Sequence, residues 1–207
     1  DFSLIAVREQ DGELSLERLA VGEHILLGGD NMDLALAYHL KTVLEGDGHT
    51  LDPVQLATLT QAARAAKERL LSFVDEASAP VVIPGRGSKL IGGTLKCELT
   101  REDLTRILLE GFFPEVDASA RPQSRARGGL TQLGLPYAQD AGITRHLAAF
   151  LARQASALGQ GDQGFAQPTA LLFNGCVFKS QLLTARVVNV LDGWLRASVA
   201  EDVVHLP

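Results

Sequence analysis

The stretch 170-ALLFNGCVFKSQLLTARVVNVL-191 predicts a buried strand, a glycine turn and an amphipathic helix. The apolar run at residues 171–173 is typical of a strand that is covered on both faces. Apolar residues then recur at helical spacing, at Leu183, Val187, Val190, Leu191 and Trp194. Asn174 and Gly175 are therefore expected at the carboxyl end of a strand, where ligands gather in open α/β sheets.

A second strand, glycine turn and helix is predicted earlier in the chain. The apolar residues 25–27 lead into Gly28 and Gly29, and Asp30 and Asn31 then open a helix. Unpaired amides at the start of a helix attract phosphate and other polar ligand groups. We expect the two turns to face a common crevice.

The remaining chain alternates between further short strands and helices. Hairpins are predicted around residues 10–12 and 84–88. Helices are predicted at residues 53–77 with Asp52 as the capping residue, from Thr100 onward with Thr100 as the cap and Asp103 three residues on, and at residues 143–158. Residues 113–135 are rich in proline, glycine, serine and arginine, which predicts a long loop.

The composition excludes several classes of protein. The chain has 207 residues, 46% of them hydrophobic and 21% charged, which is ordinary for a globular protein. The net charge of -6, without a block of lysine or arginine, argues against a nucleic-acid partner. No apolar stretch has the length of a membrane span and no signal peptide is recognised, so we expect a cytoplasmic protein without a membrane partner.

Neither the cysteines nor the histidines suggest a metal site. Cys97 and Cys176 form no pattern of a disulfide framework, and the five histidines have no spacing of metal ligands. The predicted first strand begins at the first residue, so we expect the chain to be part of a longer protein.

The order of these segments resembles the nucleotide-binding domain of the heat-shock protein 70 (DnaK-like) chaperones, and the departures from it indicate a divergent bacterial branch. The similarity is carried, in sequence order, by 1-DFSLIAV-7, 28-GGDNMD-33, 66-AKERLLS-72, 100-TREDL-104 and 171-LLFNGCVFKSQLL-183. Each motif alone is weak, but together they cover nearly the whole chain.

The resemblance implies an α/β fold, namely lobe II of an actin-like (ribonuclease H-like) ATPase. Such a lobe has a mixed sheet with flanking helices and an inserted helix-and-hairpin subdomain. Residues 1–28 and 113–207 would form the core subdomain and residues 29–112 the inserted one. The implied partners are ATP or ADP, lobe I of the parent protein, and client proteins or co-chaperones.

The family also implies a role for individual residues. Phe178 replaces the arginine that stacks on the adenine, and Gly175, with Asn174, lets the backbone approach the base. Lys67 matches the lysine that contacts the ribose, with Arg64, Glu68 and Ser72 as alternatives. Gly28 and Gly29 would offer backbone amides to the phosphates or the sugar.

Several alternatives stay open at this point. Phe178 is also explained as the first core residue of its helix, and each glycine pair as a plain turn. Asp1 matches an aspartate near the Mg²⁺ water shell, but the phosphate loops and metal-side carboxylates of the family would lie outside this chain. We therefore expect no ATP hydrolysis by this chain alone.

Two other functions are weighed beside the chaperone-like ATPase. The first is a pseudo-enzyme with an actin-like fold that serves as a scaffold for protein contacts, suggested by 174-NGCVF-178 and by the loop around Arg121, Arg125 and Arg127. The second is another actin-like branch such as a sugar kinase.

Overall fold

The computed structural model describes residues 1–85, 93–123, 140–157 and 164–204. The chain divides into two compact units. The first unit comprises Asp1–Leu26, Phe113–Phe173 and Ala185–Pro207, and the second comprises Leu27–Phe112 and Asn174–Thr184.

The first unit begins with an antiparallel hairpin of β1, Ser3–Gln10, and β2, Glu13–Val21. Asp11 and Gly12 form the turn with φ angles of 55° and 82°. Positive φ at both positions is the geometry of the two-residue turns that match strand twist. The hairpin predicted around residues 10–12 is therefore confirmed.

Aromatic side chains build the core of the first unit. The helix α4, Ile143–Ala157, carries Phe150, whose ring stacks on Phe2 at a centroid distance of 5.6 Å. Trp194 lies on the long helix α5, Gln181–Val204, and meets Phe165 edge-on at 6.2 Å. The first contact packs the residue before β1 against α4, and the second packs the segment around Phe165 against α5.

Two helices and a hairpin form most of the second unit. The helix α1 runs over Gly29–Gly46 and α2 over Pro53–Ser72. Asp52 caps α2, because its Oδ1 accepts the amide of Gln55 at 2.8 Å and the Gln55 side chain accepts the Asp52 amide at 3.2 Å. The core contains fully buried leucines from both helices: Leu36, Leu40, Leu44, Leu59 and Leu70.

The hairpin of β3, Ser78–Pro84, and β4, Thr94–Thr100, pairs in antiparallel fashion. Thr100 then caps α3, Arg101–Thr105, by accepting the amide of Asp103 at 3.1 Å, as its spacing predicted. A π-helix at Arg106–Phe112 continues this element. Lys89 and most of the 84–88 turn lie outside the described residues.

Two predicted strands are wrong. Residues 25–27 and 171–173 have no strand conformation, and the side chain of Leu172 is 94% exposed. An apolar run indicates a tendency to be buried, but a strand also needs a neighbour that accepts its backbone hydrogen bonds. Within the described residues β1 pairs with β2 alone, so neither run has such a neighbour.

The described part of the chain thus contains α-helices and two separate two-stranded antiparallel sheets. The mixed sheet of an actin-like lobe stays a prediction. Among the described helices, none combines the length and the apolar character that crossing a membrane requires.

Candidate functional site

Gly28 and Gly29 form the start of α1, and we call these two residues the glycine corner. Gly28 is the residue before the helix, with extended φ and ψ. Its amide donates to Oδ1 of Asn31 at 2.9 Å, and its carbonyl accepts the amide of Asn31 at 3.2 Å. One of the two amides expected to face a ligand is therefore already used within the helix start.

Lys67 reaches this corner from α2. Its Nζ lies 2.5 Å from Oδ1 of Asp33 and 3.5 Å from the carbonyl oxygen of Gly29. The side chains are 9% and 5% exposed for Lys67 and Asp33, so the charges neutralise each other away from water. The Gly29 carbonyl accepts one of the three ammonium donors, whereas the contact with Asp33 is an ion pair that leaves the buried Oδ1 without a hydrogen-bond partner among the described residues.

Burial has the largest effect on the pKa of the Asp33 carboxyl. Loss of water around the carboxyl raises its pKa above the ordinary value, and the close contact and charge of Lys67 oppose that rise without cancelling it. The carboxylate depends on Lys67 for most of its compensation. Removal of Lys67 would leave a buried charge without a counter-ion.

Charged side chains with greater exposure surround the pair. Arg64 lies one turn before Lys67, with Nε 3.0 Å from Oε1 of Glu68 and Nη1 4.0 Å from Oδ1 of Asp30. Arg64, Glu68 and Asp30 are each at least half exposed. Of the alternatives for the ribose contact, Arg64 and Glu68 thus lie in water beside the corner, while Ser72 ends α2.

The turn at residues 174–178 lies in the same unit. Gly175 has φ of +96°, a conformation that strains any side-chain-bearing residue. Its amide donates to the Oδ1 of Asn174 at 2.8 Å, so Asn174 closes the turn locally. A short 3₁₀ helix, Val177–Lys179, follows, with Phe178 half-buried.

Gly29 is where the corner and the turn meet. A Cβ built on Gly29 would lie 3.5 Å from Nζ of Lys67 and 3.9 Å from Cγ2 of Val177. The structure therefore brings together Gly28, Gly29, Lys67 and the turn that contains Asn174, Gly175 and Phe178, all within the second unit.

Sequence reasoning missed Asp33 and Val177. A signal for Asp33 was present, because it occupies the apolar stripe of α1 that continues through Leu36, Ala37, Leu40 and Leu44. Lys67 lies beside the buried stripe of α2 in the same way. A single acidic residue in the buried stripe of α1 and a single basic residue beside the buried stripe of α2 indicate a buried ion pair between the two helices.

Two other features lie in the first unit. Asp1 Oδ1 is 2.8 Å from Nδ1 of His24, and both side chains are mostly exposed. A hollow of about 870 Å³ is lined by residues of loop 115–121 and by one face of α5 that includes Trp194. Neither feature includes a residue predicted to contact the adenosine, although the resemblance matched Asp1 to an aspartate near the Mg²⁺ water shell.

Across the described ranges no three His, Cys, Asp or Glu side chains lie close enough to hold an ion. The described side chains therefore do not fit Mg²⁺ by themselves. No protein-family profile matches the chain.

Proposed function

We propose that this chain is the adenine-nucleotide-binding lobe of a heat-shock protein 70-like ATPase, with the second unit providing the adenosine side of the site. The observation that carries the proposal is the meeting of the Gly28–Gly29 corner, Lys67 and the 174–178 turn around Gly29. The side of Gly28 is open, with no atom within 4 Å of a Cβ built there, so a ligand has space to approach the backbone, and Lys67 and Val177 lie at contact distance from Gly29 on either side.

The proposed division of roles follows from the chemistry of each group. Phe178 covers one face of the adenine, and stacking on an aromatic ring contributes about 1 to 3 kcal/mol per base. Gly175 and Asn174 approach the other face with backbone. In this proposal the amide of Gly29 and a donor of Lys67 that the Gly29 carbonyl does not use face the sugar or the first phosphate.

The other requirements of phosphoryl transfer lie outside this chain in our proposal. Holding Mg²⁺ needs a cluster of ligands that the described residues do not assemble. Positioning the terminal phosphate and orienting the water need further groups. We therefore propose that lobe I supplies them, that this chain alone does not hydrolyse ATP, and that the parent acts in the cytoplasm on client proteins or with co-chaperones.

One observation favours the scaffold as a second candidate. The Gly28 amide is satisfied by Asn31, the Gly175 amide by Asn174 and the Lys67 charge by Asp33, so these groups are compensated without a ligand. A site that has lost nucleotide binding would be expected to satisfy its polar groups internally.

Titration of the labelled chain with ADP, followed by NMR amide shifts, tests the proposal. We expect saturable shifts at Gly29, Gly175 and Val177. Phe178→Ala should weaken binding by about 5- to 140-fold, which corresponds to about 1 to 3 kcal/mol.

Phe73→Ala is the matched control, since Phe73 is an exposed aromatic residue of the same unit. It should leave ADP binding unchanged. Absence of shifts at these amides up to the solubility limit of ADP would favour the scaffold. ATP turnover by the purified chain above a protein-free control would refute the predicted inactivity.

A further inference from the structure

The β1–β2 hairpin has one half-buried face and one exposed apolar face. Near its base, Leu4, Ala6 and Ala20 are half-buried. The alternate side chains of the two strands project from the opposite face. Four of them are large and apolar with high exposure: Ile5 at 48%, Val7 at 63%, Leu14 at 73% and Leu16 at 71%.

The strand register places these four side chains together. Val7 pairs directly with Leu16, Glu9 with Leu14 and Ile5 with Arg18. Directly paired residues lie on the same side of a sheet, and residues two apart along a strand do so as well. We call the six residues Ile5, Val7, Glu9, Leu14, Leu16 and Arg18 the hairpin face.

An exposed apolar surface of this kind has a free-energy cost that a covering partner removes. Each Å² of apolar surface taken from water contributes about 25 cal/mol. A two-stranded hairpin is also marginal by itself and gains from a packed layer on its open side. Contiguous apolar surface on a strand face is therefore typical of an interface.

The charges on the hairpin face indicate which partner fits. Glu9 and Arg18 occupy opposite corners of the face, with the apolar residues between them. In the part of the chain that the structure describes, neither has an ion-pair partner, whereas Arg8 and Glu17 on the other face bind each other at 2.6 Å. An acid at one end and a base at the other make the face complementary to itself.

We propose that the hairpin face binds a second copy of this chain in a two-fold dimer. A two-fold axis between the faces, close to the Val7–Leu16 pair and running across the strands, packs the apolar residues against their equivalents. If this axis is tilted slightly away from the perpendicular to the strands, the strands of the two copies cross at about 30°, as in aligned sheet packing. The same tilt places each Glu9 opposite Arg18 of the other copy.

The hairpin face would fit an unrelated partner only if that partner carried a basic group opposite Glu9 and an acidic group opposite Arg18. The symmetric dimer needs no such coincidence, because one sequence supplies both charges. The face is small, and the interface is expected at the low end of specific interfaces, below about 1,200 Å². The dimer should therefore be weak, and its population should rise measurably with protein concentration.

Sedimentation velocity over a range of protein concentrations tests the proposal. We expect a monomer–dimer equilibrium for the unchanged chain. Leu16→Glu should raise the dissociation constant of the dimer by at least about tenfold, because each copy then places a charge in the apolar centre of the interface. Val54→Glu is the control, as Val54 is equally exposed but lies at the start of α2, where an acid is tolerated.

The charge pairing is tested without disturbing the apolar centre. Glu9→Arg and Arg18→Glu alone should each weaken the dimer by about tenfold, since each creates two like-charge contacts. The double reversal should restore it. A sedimenting monomer at every concentration, or a dimer that ignores all of these changes, would overturn the proposal; circular dichroism verifies that each variant is folded.

Discussion

Replacing Lys67 by methionine is the sharpest test of the buried ion pair between α1 and α2. The methionine side chain fills most of the lysine stem and removes the charge 2.5 Å from Asp33. Asp33 is 3% exposed, so its carboxylate would lose its counter-ion without gaining water. Breaking a buried pair in this way costs about 3 to 5 kcal/mol of unfolding free energy.

The pH dependence of that loss has a defined sign. Burial already raises the folded-state pKa of Asp33 above the ordinary value of 3.8, and removal of Lys67 raises it further. Between 3.8 and the folded-state pKa the folded protein binds more protons than the unfolded one, so stability falls as pH rises through this window. The deficit of Lys67→Met should therefore shrink as the pH is lowered from 7 toward 3.8.

Urea unfolding followed by far-ultraviolet circular dichroism measures these changes, because α1 and α2 are long helices of the second unit. Adding Asp33→Asn to Lys67→Met removes both charges and should recover about 2 kcal/mol as coupling energy. Arg64→Met is the matched control on the exposed side of the same helix. The Arg64 charge also acts on Asp33, but it lies half in water, so we expect a loss of at most about 1 kcal/mol. A Lys67→Met variant as stable as this control, or a double variant with the summed loss of the two single ones, would refute the buried pair.

Two further predictions concern the first unit. Asp140 is buried, which by itself raises the pKa of its carboxyl. The Arg145 guanidinium and the amides of Gln123 and Gly142 outweigh that effect, so the pKa lies below the ordinary value. The stabilisation from Asp140 is therefore complete above the ordinary pKa and is lost as pH falls through the folded-state pKa. Asp140→Asn should cost about 3 kcal/mol at pH 7, and urea titrations should show the difference narrowing below pH 3.8. Trp194 donates from Nε1 to the carbonyl of Val116 at 2.6 Å, so Trp194→Phe should cost about 1 to 3 kcal/mol by leaving that carbonyl unsatisfied. Thermal unfolding by circular dichroism measures this loss, and a Trp194→Phe midpoint equal to that of the unchanged chain would contradict it.

Local signals predicted the elements that depend on neighbours in sequence. The glycine turn at Asp11 and Gly12, the cap at Asp52 and the cap at Thr100 each act within about four residues, and all three are found where they were expected. The start of α1 after Gly28 follows the same logic. Backbone hydrogen bonds and side-chain caps over such short distances are encoded in a few adjacent residues.

Features that join distant segments needed the tertiary structure. The run at residues 171–173 has the composition of a buried strand but no described strand beside it, and Leu172 is exposed. The partners Asp33 and Lys67 are separated along the chain by more than the length of α1. Arg101 likewise donates to three carbonyls, those of Leu70, Phe73 and Glu76, which no local pattern links to it.

The sequence by itself determined the helices, the two hairpins and the positions of the two glycine turns. Only the tertiary structure decided that both turns meet at Gly29, that the Lys67 ammonium faces a buried carboxylate, and that the apolar side of the first hairpin stays in water. The physical reason is that turns and caps are satisfied within a few residues. A buried charge or an apolar strand face is compensated only by whatever the fold brings against it.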